Sequence, residues 1–137
     1  MKVLGLDGKE YKWSLDSAKR EDSHRSGLHL RARDLIKSIY KFDSIYEDIT
    51  LPGSRRNNRS SLLYADFFLP LRKLIVEVNG SQHDNYCHFF HKNKLAFYKA
   101  KARDNDKKAW CELNEISIVY FNHDETDEQW REKLNER

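Results

Sequence analysis

Between Leu63 and Asn79 the chain reads LYADFFLPLRKLIVEVN, two apolar runs of strand length on either side of Pro70-Leu71-Arg72. In the second run Leu74, Val76 and Val78 alternate with Ile75, Glu77 and Asn79, a period of two that predicts a strand with its first set turned to a core. Upstream, Leu28, Ala32, Leu35, Ile36 and Ile39 recur at helical spacing behind Ser26, a residue type that caps helix N-termini well. The segment KVLGLDGKEYKWSL carries an Asp7-Gly8 turn between alternating apolar positions, a hairpin signal. SIYEDITLP predicts a short strand stopped by Pro52-Gly53. A long helical region follows over Phe89 to Asn114, then a buried strand in ISIVYFN and a short helix over Glu128 to Arg137. The predicted order is helix, three strands, helix, strand, helix: an α/β fold with a mixed central sheet (α-β-β-β-α-β) flanked by helices, behind an N-terminal hairpin at residues 1–14.

A chain of 137 residues with 39% hydrophobic content is expected to bury one core, as a single domain over 1–137. Charge changes the picture more than size does. The net charge is only +3, but Gly53 to Ser61 (GSRRNNRSS) and Lys92 to Lys108 are strongly basic, whereas the C-terminal HDETDEQWREKLNER leans acidic. A local basic surface on a nearly balanced chain points to a polyanionic partner on one side; a merely solvated surface is the bland alternative. Two cysteines, Cys87 and Cys111, make no disulfide framework, and no secretory apolar region opens the chain. No apolar run approaches the roughly 20 residues that cross a bilayer, so a cytoplasmic protein without membrane contact is expected.

The acids inside the apolar runs are the chemical signal. If the turn is centred between Leu71 and Arg72, Leu69 faces Leu74 and Asp66 faces Glu77. Directly opposed side chains share a face with Cβ atoms about 4.5–5.5 Å apart, where two carboxylates repel unless a cation joins them. A pair of hard oxygen ligands with room for water suits Mg²⁺ or Mn²⁺, and such an ion can activate water against a phosphodiester. The competing reading leaves both acids on a solvated face, but Asp is unfavourable in strands. After Gly80 the chain can turn sharply and bring Gln82 and His83 back over the acids, His83 as general base or as phosphate ligand. In ARDNDKKAWCEL, Asp104 lies one helical turn before Lys107, which can neutralise charge on a scissile phosphate.

The ordered set Asp66, Glu77-Val78-Asn79-Gly80, His83, Asp104-x-x-Lys107 and NEISIVYF resembles the PD-(D/E)XK nuclease superfamily. It looks closest to the very-short-patch mismatch endonucleases and the small EDxHD homing endonucleases. The resemblance covers Ser26 to Asn122. It implies a restriction-endonuclease-like core and a metal-dependent DNA endonuclease of phage or mobile-element origin, with Asp66 as central metal ligand and Glu77 as second acid. It makes His83 the active-site histidine and Asp104 the acid on the following helix. The early Glu of the EDxHD pattern falls on Glu47, with Glu21 behind it. Two departures stand out: His29 occupies the place where relatives often carry an acid on the first helix, and Asn79 stands where the E-x-K lysine is usual. The positive charge would then come from His83, from Lys107 or from the metal alone.

On this reading Arg55, Arg56 and Arg59 grip the DNA backbone alongside Gln82, and sequence selectivity requires a homodimer or a grafted module. Two rivals compete. A non-catalytic nucleic-acid-binding module explains the arginines and the aromatic-rich helix but not the paired acids. A structural zinc held by His83, Cys87, His88 and His91, with Cys111 as a further candidate, lacks the paired C-x-x-C spacing of zinc ribbons.

Overall fold

The computed structural model describes residues 1–15, 26–80 and 94–135. A small antiparallel hairpin, β1 (Lys2–Leu4) with β2 (Glu10–Lys12), precedes helix α1 (Gly27–Ile39). Strands β3 (Tyr46–Thr50), β4 (Tyr64–Leu69) and β5 (Leu74–Asn79) follow, then helix α2 (Lys94–Leu113), strand β6 (Ser117–Asn122) and helix α3 (Asp127–Asn135). The order is the expected one. The four long strands form one mixed sheet in the order β3-β4-β5-β6, antiparallel except for the parallel β5–β6 pair.

Local chemistry accounts for the element limits. Ser26 caps α1 by accepting a hydrogen bond from the His29 backbone N–H at 3.2 Å. Between β4 and β5 the chain makes a single 3-10 turn, Pro70–Arg72, which proline opens and Lys73 closes in the left-handed conformation (φ 48°). That turn is symmetric about Leu71 and Arg72, so Leu69 pairs with Leu74, Phe68 with Ile75 and Phe67 with Val76, the register expected from the sequence.

Alternation along the strands distributes side chains to two cores. Leu74, Val76, Phe67, Leu69 and Phe121 pack with Ala32, Leu35 and Ile36 of α1 and with Trp130 and Leu134 of α3. Ile75 and Phe68 pack on the other face with Trp110 and Cys111 of α2 and with Val3 and Trp13 of the hairpin region. The sheet is therefore the middle of three layers. Two indoles tie the α2 side together, Trp13 donating to the Thr50 carbonyl at 3.1 Å and Trp110 to the Pro52 carbonyl at 2.8 Å. Asn114 joins the end of α2 to β1 by bonding both the N–H and the carbonyl of Leu4.

One irregularity bears on function. Ala65 belongs to the α2-side core and Phe67 to the α1-side core, although residues two apart on a regular strand share a face. The switch falls opposite Asp48, whose φ of 51° places it in the left-handed region that Asp tolerates better than most residues. Asp66 sits at this twist, between Ala65 and Phe67.

Candidate metal and nucleic-acid site

Asp66 from β4 and Glu77 from β5 meet across the hairpin, each carboxylate engaging the main chain of the opposite strand. Glu77 Oε2 accepts the Asp66 N–H at 2.8 Å, and Asp66 Oδ2 accepts the Val78 N–H at 2.8 Å. Side-chain oxygens thus take over donors that a plain ladder would satisfy with carbonyls. Asp66 remains partly exposed, whereas Glu77 is only 7% exposed.

Lys107 of α2 completes the cluster, its ammonium donating to Glu77 Oε1. The lysine lies one turn before Trp110 and Cys111, the residues that bury the C-terminal half of α2 against the sheet, so its side chain is carried to the β4–β5 acids by the same helix face. Burial, and next the Asp66 carboxylate, push Glu77 up to about 7 from its ordinary 4.5; the charge and hydrogen bond of Lys107 and the Asp66 N–H act against that rise. One lysine therefore balances only part of the charge that two adjoining carboxylates carry when both are ionised.

Beneath the cluster, burial and then the Glu77 carboxylate push the Cys111 thiol up to about 12. Tyr120, the parallel-register partner of Glu77 on β6, is also displaced upward, first by burial and then by Glu77 and Asp104. Its ring lies 5.3 Å from the Lys108 ammonium, and its buried hydroxyl has no hydrogen-bond partner among the described residues. Sequence reasoning missed Tyr120, because parallel register between strands separated by a helix leaves no local pattern to read.

The remaining candidates are dispersed. Asp104 is half-buried one turn before Lys107 on α2 and reaches the cluster through its field at Tyr120. Asn79, at the E-x-K lysine position, donates to Asn122 Oδ1 at 3.0 Å and joins the ends of β5 and β6. Glu47 is not brought to the acid pair. It is buried on the α1 side of the sheet, where Arg33 grips it through two hydrogen bonds of 2.8 and 2.9 Å and His29 Nε2 lies 2.7 Å from Oε1. His29 in turn stacks on Phe67, centroids 4.4 Å apart. Glu47 is therefore part of a buried ionic cluster that joins α1 to β3. Its signal in the sequence was Arg33, a charged residue within the apolar stripe of α1.

The loop arginines are anchored rather than free. Arg56 and Arg59 pair through backbone hydrogen bonds of 3.0 Å, closing a small hairpin over Asn57-Asn58. Both guanidinium groups contact Asp106 of α2, at 3.1 and 2.9 Å, and Arg55 donates to the Ser60 carbonyl at 2.7 Å. Gln82, His83, Cys87, His88, His91 and Glu21 lie outside the described residues. Among the described residues no group of three or more His, Cys, Asp and Glu side chains is placed to share a metal ion, and no helix is long and apolar enough to cross a membrane.

Over 68 residues the chain is 37% identical to uncharacterized protein 307L of Invertebrate iridescent virus 6, a match covering 50% of this chain and 34% of that one. Over 57 residues it is 39% identical to uncharacterized protein 033L of Invertebrate iridescent virus 3, covering 42% and 29% respectively. The aligned regions thus span about a third of each relative's length. No protein-family model and no solved structure matches the chain.

Proposed function

We propose that this chain is a metal-dependent DNA endonuclease with a restriction-endonuclease-like core, Asp66 and Glu77 holding Mg²⁺ or Mn²⁺ and Lys107 standing beside the reacting phosphate. The observation that carries the reading is the convergence of Asp66, Glu77 and Lys107 from three elements at one place, with Glu77 held up to about 7. Perturbed groups of this kind concentrate at functional sites, because a fold gains nothing from burying mutually repelling acids.

The donor set fits a hard divalent cation. Two carboxylates supply its protein ligands, and Mg²⁺ characteristically completes its shell with water and substrate phosphate rather than further side chains. When bound, the ion lowers the pKa of its water and stabilises the departing oxygen. Lys107 occupies the role that Asn79 cannot fill, a positive charge against the acid pair, and a phosphate arriving there gives its ammonium a second anion to hold. Asp104 and the partly buried Tyr120 edge the same pocket of charge. His83 keeps its proposed role as base or phosphate ligand on the sequence pattern alone. The iridescent-virus relatives support a viral setting, with action in the host-cell cytoplasm, and selectivity for a target sequence would require a homodimer or a further module.

A plain binding module remains the rival and is favoured by the arginine loop, yet it leaves the acid pair unexplained. Incubating supercoiled plasmid with Mg²⁺ or Mn²⁺, beside EDTA, separates the two. Nicking or linearisation that needs the metal and disappears in Asp66→Ala, with DNA binding retained, is the expected result. Wild-type cutting by that variant would overturn the assignment.

A further inference from the structure

A second feature of α2 is a groove of about 540 Å³ between that helix and the Arg56–Arg59 hairpin, lined by Arg56, Asn58, Arg59, Lys99, Arg103 and Asp106. Lys99, Arg103 and Asp106 recur at four and three residues on α2 and so present one helical stripe. The opposite wall is the loop, pinned there because Arg56 and Arg59 share the single carboxylate of Asp106. Four cations thus face one anion. Lys99 and Arg103 are exposed and carry no ion pair among the described residues.

Such a concentration of like charge is unfavourable by itself, and a walled concavity focuses the resulting field on whatever anion enters. The donor geometry is also selective. Guanidinium groups offer paired N–H donors matched to phosphate oxygens, and Asp106 fixes two of them in place before any ligand arrives. Asn58 adds a neutral donor and acceptor at the rim.

We infer that this groove is a phosphodiester-binding subsite for the DNA backbone, in which Arg56, Lys99 and Arg103 take one phosphate and Asp106 holds the arginine wall in position. The inference shares the DNA substrate of the nuclease reading but does not depend on hydrolysis. Arg103 precedes Lys107 by one helical turn and Lys99 by two, about 6 and 12 Å along the axis. At about 3.4 Å of rise per nucleotide on one strand, the held phosphate lies a few nucleotides from the one beside Glu77. The groove therefore sets where along the backbone the acid pair is presented.

The test is fluorescence anisotropy with a labelled duplex oligonucleotide, in EDTA, across a salt series. The groove variant Lys99→Gln/Arg103→Gln is compared with Lys12→Gln/Lys41→Gln, which removes equal charge from exposed positions that do not line the groove. The groove variant is expected to lose about tenfold in affinity at low salt, and its slope of log K against log salt to fall by about 2, near 0.9 for each lost phosphate contact. The control should keep the wild-type slope, and thermal unfolding should show both variants folded. Equal behaviour of the two variants overturns the subsite. So does release of the duplex by inorganic phosphate at an ionic strength where chloride leaves it bound, because the groove would then be a receptor for free phosphate. Wild-type protein that binds DNA through the groove yet cuts nothing with Mg²⁺ or Mn²⁺ would remove the nuclease reading and leave the subsite standing.

Discussion

Lys107 donates its ammonium hydrogen to Glu77 although the two residues stand 30 positions apart, one on a helix and one on the strand beneath it. Without that contact Glu77 would be buried with only a like charge for company. Lys107→Met should therefore raise the Glu77 pKa above about 7, which carboxyl NMR can follow. Cleavage should fall by about a hundredfold or more if Lys107 supports the phosphate as proposed. Unfolding near neutral pH should change little, since Glu77 can take up a proton instead of remaining charged.

The raised Glu77 pKa also predicts how stability varies with pH. The folded value of about 7 lies above the ordinary 4.5, so between those values the folded protein holds a proton that the unfolded chain has lost. Stability from this group is full below about 4.5, declines as pH rises, and is lost above about 7, a difference on the order of 3 kcal/mol. Urea unfolding in EDTA at successive pH values measures it, and Glu77→Gln should flatten that part of the profile. A wild-type profile no steeper than the variant's would contradict the assignment.

Metal binding should run the same linkage backwards. A divalent cation favours the ionised acid, so binding Mn²⁺ near pH 6.5 should release a substantial fraction of a proton per ion. Calorimetry in buffers of different ionisation enthalpy counts that proton without reference to activity. Asp66→Asn should lower the Glu77 pKa, because it removes the neighbouring charge while its amide oxygen can still accept the Val78 N–H. The variant should also lose Mn²⁺ affinity.

For Glu47 the expected effect is on folding. Glu47→Ala leaves Arg33 buried without its carboxylate and takes from His29 its partner, a loss of about 3–5 kcal/mol for a broken buried pair. Chemical denaturation gives the value. A Glu47 variant with wild-type stability and no cleavage would restore its catalytic candidacy.

Cys111, with its thiol pushed up to about 12, should resist thiol reagents at pH 8 in the folded state and react once urea unfolds the chain. A Cys87→Ser background isolates the signal.

The acid pair was legible because every determinant of it is local. A short turn opened by Pro70, apolar alternation in β5 and the symmetry of the loop fix which residues oppose one another, and they place Asp66 against Glu77 without any distant contact. The Ser26 cap and the stripe of α1 are legible for the same reason. What stayed hidden depends on how separate elements stack. Nothing near Glu47 announces that Arg33 and His29 will cross to it, and the Arg56–Arg59 loop gives no sign of Asp106, 47 residues beyond Arg59. The face switch between Ala65 and Phe67 was also invisible, since a single left-handed Asp48 decides it against strand periodicity.

Asp106 and Lys107 are neighbours on α2, and consecutive helical side chains leave the axis about 100° apart. One clasps the arginine loop while the next leans on the acid pair. Any roll of this helix about its own axis must displace both attachments together, so gripping a strand and readying it for attack share one mechanical degree of freedom.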